Sequence, residues 1–141
     1  MSQLENLDNL VKIRQLHKEP PDAREFAGLK QTAANKLADA QREANSLDSR
    51  FDLAYNAAHS LCLAALRRLG YRPENRYLVF QVLPHTLGVG PEVLQILARC
   101  HDVRNRADYE GAQSVDSRLQ AELIKACKAV SEALDKLPPP P

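Results

Sequence analysis

Apolar residues recur at helical spacing along nearly the whole chain. Leu4, Leu7, Leu10 and Val11, with Leu16 as a further candidate, predict a short amphipathic helix within residues 3 to 17, stopped by Pro20 and Pro21. Asp22 suits an N-cap for a second helix, in which Phe26, Leu29, Ala33, Leu37, Ala40 and Ala44 trace one apolar face ending near Ser46. After the punctuation of Ser46 to Ser49 comes the longest stripe, Phe51, Ala54, Ala58, Leu61, Cys62, Ala65, Leu66 and Leu69, which Gly70 closes. This third helix is expected at the centre of the core.

The stretch from Tyr71 to Gly90 is less regular. Arg72-Pro73-Glu74-Asn75 reads as a turn, and Tyr77 to Leu83 as a short buried helix ended by Pro84, because a strand there would lack a partner. Pro91 suits a first helical position, and the pattern Val93, Leu94, Ile96, Leu97, Cys100 and Val103 predicts a helix running to about Gly111. A last helix starts near Ser114 or Asp116 and carries Leu119, Leu123, Cys127, Val130, Leu134 and Leu137 on one stripe. The sum is an all-α, up-and-down bundle of four to five helices. Its expected organisation is an N-terminal helical extension over 1–21, one bundle over 22–137, and a stiff proline tail over 138–141.

Composition narrows the function more than the fold. A chain of 141 residues, 44% of them hydrophobic, supplies the core of one domain. With 19 basic against 18 acidic residues, the overall field gives no reason to expect nucleic acid or an anionic membrane, so such binding requires a local patch. Cys62, Cys100 and Cys127 each fall on an apolar stripe and read as buried thiols of a reducing compartment. No paired Cys or His spacing suggests a metal, and no glycine-rich phosphate loop, Gly-x-Ser-x-Gly or His-Glu-x-x-His occurs, so neither metal nor cofactor is expected. No long apolar run or basic leader pattern occurs either, which makes a cytoplasmic protein without a membrane partner the expectation.

One segment carries more polar groups than a core helix needs. On a helix continuing to about Glu110, His101, Arg104, Asn105 and Asp108 form a stripe beside the apolar one, with Arg106 and Tyr109 nearby. Guanidinium groups grip phosphate bidentately, and the amide, carboxylate and phenol supply hydrogen bonds to a nucleotide. The plainer reading pairs Arg104 with Asp102, Asp108 or an acidic residue across a dimer, and leaves His59 packed and Tyr55, Tyr71 and Tyr77 as anchors at helix junctions.

Arg104-Asn105 followed by Arg106 and Tyr109, late in a bundle of this helix order, resembles the motif region of HEPN (higher eukaryotes and prokaryotes nucleotide-binding) domains. The helix beginning Arg50-Phe-Asp-Leu-Ala-Tyr-Asn-Ala-Ala-His and closing at Gly70-Tyr-Arg-Pro is similar to the helix that precedes the motif in that family. The resemblance spans roughly Asp22 to Leu137. It implies a homodimer whose motif helices meet across a cleft, in a toxin-antitoxin or anti-phage system, with a cognate partner such as a nucleotidyltransferase. Many members are metal-independent ribonucleases that use Arg, an adjacent polar residue and a His after four intervening positions. Arg104 and Asn105 match the first two; Tyr109 occupies the third. An imidazole titrates near neutrality and a phenol near pH 10, so the expectation is RNA, nucleotide or partner binding through the Arg104–Tyr109 cleft with weak or no cleavage. Two alternatives stand beside it: an active endoribonuclease in which Tyr109 or His101 moves protons, and a non-catalytic adaptor bundle with Arg104, Asn105 and Asp108 in a polar dimer seam.

Overall fold

The computed structural model describes residues 3–110 and 115–141. Among the described residues the chain forms seven helices and one two-stranded sheet: α1 (Gln3–Lys12), β1 (Leu16–Lys18), α2 (Ala23–Ala40), α3 (Leu47–Arg68), β2 (Tyr71–Pro73), α4 (Leu78–Gln81), α5 (Leu83–Thr86), α6 (Pro91–Glu110) and α7 (Ser117–Asp135). It is a mostly helical bundle. The central element is α3, which packs most extensively on α2 and α7 and also touches α4, α5, α6 and β2. Its alanines are the reason. Ala54, Ala57, Ala58, Ala64 and Ala65 are buried on several sides of the helix, and their small side chains let neighbours approach closely all round.

Side-chain caps set the starts of α2, α3 and α7. Asp22 accepts from the Arg24 and Glu25 amides, Ser46 from Ser49, and Asp116 from Leu119. The end of α1 is a Schellman turn: Gln15 N–H donates to Leu10 C=O at 2.9 Å and Arg14 N–H to Val11 C=O at 3.0 Å. Arg14 therefore sits at φ 63°, a conformation that ordinarily favours glycine. Gly70 closes α3 at φ 90°.

Two expectations are corrected. The second helix stops at Ala40 rather than near Ser46, and Ala44 is exposed instead of extending its apolar face. The cause is tertiary: the Ala40 carbonyl accepts Arg50 Nε at 2.9 Å, which satisfies it outside a continuing helix. Arg72-Pro73, read as turn, belongs to a strand. β1 and β2 pair antiparallel with Leu16 opposite Pro73 and Lys18 opposite Tyr71, a three-residue ladder too short to leave an alternating pattern. Segment 1–21 is joined to the bundle through this ladder and through Leu7 and Leu16, both fully buried in the common core.

An ion-pair network around the buried Arg67 guanidinium locks the ladder to α2 and α3. Arg67 is 2% exposed; its Nε donates to Glu25 Oε1 at 2.5 Å, and its terminal nitrogens donate to the Glu19 and Pro20 carbonyls. Arg72 donates to Glu19 and to the other Glu25 oxygen. Burial raises the Glu25 carboxyl, but the Arg72 and Arg67 hydrogen bonds outweigh it and hold the group below its ordinary range. At the opposite terminus Arg68 Nε donates to the Pro138 carbonyl at 2.7 Å and Pro140 is buried, so the proline tail lies on the bundle. No helix among the described residues is long and apolar enough to cross a membrane.

Candidate functional site

On α3, Asp52, Tyr55, Asn56 and His59 stand three, four and seven residues along, which places them on one helical face. On α6, His101, Arg104 and Asn105 do the same. The segment entering α4 lies beside both and contributes Arg76, Tyr77 and Phe80. The three meet around the ring of Tyr55, which is 1% exposed.

His101 is held from three directions. Its Nδ1 is 2.8 Å from the Tyr55 hydroxyl, its Nε2 is 3.1 Å from the Asn105 amide nitrogen, and its ring stacks on Tyr77 with centroids 4.2 Å apart and planes 15° from parallel. Phe80 closes the cluster edge-on, with its centroid 5.6 Å from Tyr55 and 6.4 Å from His101. Burial lowers the His101 pKa below its ordinary value, with Arg104 and Arg76 adding to the fall against the opposing pull of Asp102. Both ring nitrogens of a neutral imidazole are thus occupied.

Two cations flank the cluster. The Arg104 guanidinium carbon is 5.1 Å from the Tyr55 centroid, and that of Arg76 is 5.7 Å away. Arg76 donates to Asn56 Oδ1 at 2.6 Å, and Arg104 Nε lies 3.8 Å from an Asp52 carboxylate oxygen. The Arg104 side chain is 28% exposed and Arg76 is exposed, so both reach the surface. Burial raises the Tyr55 phenol above its usual pKa, which keeps it protonated beneath them. His59 packs edge-on to Phe80 with centroids 6.1 Å apart. Burial, then Arg76 and Arg104, push its pKa down to about 4. Its Nε2 is buried with no hydrogen-bond partner among the described residues.

The structure thus brings together His101, Arg104 and Asn105 from the sequence-derived set. Arg106 is exposed on the same helix, outside the contacts just described. The α6 backbone continues through Asp108 and Tyr109, but their side chains lie outside the described residues. Asp102, Asp108 or an acid across a dimer were the anticipated partners of Arg104; helix packing also sets Asp52 of α3 beside it, and the Asp108 side chain lies outside the described residues. Sequence reasoning passed over Asp52, Asn56 and Arg76, and read Tyr55, Tyr77 and His59 as packing residues. The overlooked signal was the polar line Asp52, Tyr55, Asn56 and His59 on a helix otherwise rich in alanine. Among the described residues no group of three His, Cys, Asp or Glu side chains converges as a metal set would.

Comparison with protein-family models, with curated proteins and with solved structures finds no match to this chain. The functional reading therefore rests on the site itself.

Proposed function

We propose that this chain is a HEPN-like protein that binds RNA through the Arg104 surface, acts as a homodimer in a toxin-antitoxin or anti-phage setting, and cleaves RNA weakly or not at all. The observation that carries the binding is the pair of guanidinium groups around Tyr55. Arg104 and Arg76 set two guanidinium groups beside an aromatic stack, a combination that suits a phosphate with an adjoining base. Asn105 extends the same surface one residue along α6. The kinship itself is supported by Arg104-Asn105 and the two helices that carry the site.

Weak cleavage follows from the commitment of His101. A general base needs a free lone pair within hydrogen-bond reach of the ribose hydroxyl, whereas His101 spends Nδ1 on Tyr55 and Nε2 on Asn105. In this arrangement it is a brace. The second reading, a metal-independent endoribonuclease, is favoured by one observation: the imidazole is neutral and one turn from Arg104, so displacement of Asn105 by substrate exposes a competent base.

Anisotropy with labelled single-stranded RNA separates these readings. Arg104→Ala and Arg76→Ala are each expected to weaken binding about tenfold or more and to flatten the salt dependence by about 0.7 per lost phosphate contact. Undiminished affinity in both variants refutes RNA binding here. Cleavage by EDTA-treated protein, abolished in both Arg104→Ala and His101→Ala, establishes the nuclease instead. Light scattering of the intact chain is expected to give twice the chain mass.

A further inference from the structure

Beside the cationic cluster, α6 and α4 leave a surface groove of about 400 Å³ between Leu94, Gln95 and Ala98 on one side and Tyr77, Phe80 and Gln81 on the other. Tyr77 and Phe80 are the same rings that pack on His101, so the groove and the arginine site share a wall. Its floor is aromatic and aliphatic. Its rim carries two exposed glutamine amides, neither of which hydrogen-bonds another described residue. An amide offers one acceptor and two donors, which matches the paired donor and acceptor pattern along a nucleobase edge.

We infer that this groove receives an unpaired nucleobase of the RNA strand whose phosphate Arg104 and Arg76 hold, an assignment that rests on the RNA-binding reading above. From Ala98 to Arg104 the helix rises about 9 Å. That span lies within the reach of a nucleotide adjoining the held phosphate. The base lies against Tyr77 and Leu94, and Gln81 and Gln95 meet its Watson–Crick edge. In a duplex that edge is already paired, so the ligand class is single-stranded RNA.

The test measures binding of the intact chain to short labelled oligoadenylate and oligouridylate, each compared with an abasic strand of equal length. Base-bearing RNA is expected to bind about fivefold or more tightly than abasic RNA. Leu94→Trp, which fills the groove, and the double variant Gln81→Ala/Gln95→Ala, at exposed positions that folding tolerates, are expected to reduce that ratio. Arg104→Ala is expected to weaken both strands alike and preserve the ratio. Equal binding of base-bearing and abasic strands overturns the base site while leaving the phosphate site standing, as does a ratio unchanged in both groove variants. Absence of all RNA binding overturns both. A change of oligomeric mass in Leu94→Trp assigns the groove to a protein contact and overturns the inference.

Discussion

The two imidazoles around Tyr55 tie the site to stability as well as to binding. His59 has a folded pKa of about 4 against an ordinary 6.5, because burial and the neighbouring Arg76 and Arg104 disfavour its charged form. A depressed histidine is neutral in the fold and binds its proton earlier in the unfolded chain. Its contribution is therefore complete above about pH 6.5 and is lost as pH falls toward 4. His101 shifts in the same direction. The urea midpoint is expected to decline between pH 7 and pH 5, and His59→Gln to flatten that decline. An equal slope in the variant shows that His59 does not titrate as its surroundings require. Glu25 acts in a separate window: its lowered carboxyl pKa supports the fold above the unfolded value and fails only as pH drops below about 4.5. At this scale the sequence showed the polar stripe on α6. It did not show their partners, since Tyr55 and His101 are 46 residues apart and meet only through packing.

Single elements depend on a few backbone and ion-pair positions. Arg14 holds a left-handed conformation at the end of α1, which costs a side-chain-bearing residue roughly 1 kcal/mol that glycine avoids. Arg14→Gly is expected to raise the thermal midpoint by a few degrees, about 0.5–1 kcal/mol, despite the added freedom of the unfolded chain. A lower midpoint contradicts the turn as described. Arg67→Met acts in the other direction. It removes the guanidinium from the partly exposed Glu25 carboxylate, which Arg72 still holds, and from the Glu19 and Pro20 carbonyls, at an expected cost of about 1–3 kcal/mol in urea unfolding. A loss below 1 kcal/mol shows that water or Arg72 replaces the guanidinium. The start of α2 was legible because Asp22 follows two prolines and is followed by a helical stripe. Its end was not, because the group that takes the Ala40 carbonyl comes from Arg50, across the next connection.

Across the whole molecule the core is closed around its thiols. Cys62, Cys100 and Cys127 are all free and fully buried, and desolvation pushes the Cys100 and Cys127 thiols up to about 12 and Cys62 upward as well. A thiol reagent at pH 8 is expected to label none of the three in the native chain and all of them in urea. Rapid native labelling of even one indicates a looser bundle than the one described. The Cys127 thiol also donates to the Ala54 carbonyl at 3.2 Å, which ties α7 to α3.

What the linear chain determined by itself is the periodic part: the apolar stripes of the long helices, the cap at Asp22, and the placing of the three cysteines inside. Those features follow from local hydrogen bonding and from spacing that repeats every three or four residues, both of which are written into neighbouring positions. Only the tertiary structure decided that α2 stops at Ala40, that Leu16–Lys18 pairs with Tyr71–Pro73, and that Arg104 and Arg76 converge on Tyr55 with His101 braced between Tyr55, Tyr77 and Asn105. These are contacts between residues far apart in sequence. Their energies depend on which helix faces are brought together, and that is settled by burial of the core as a whole.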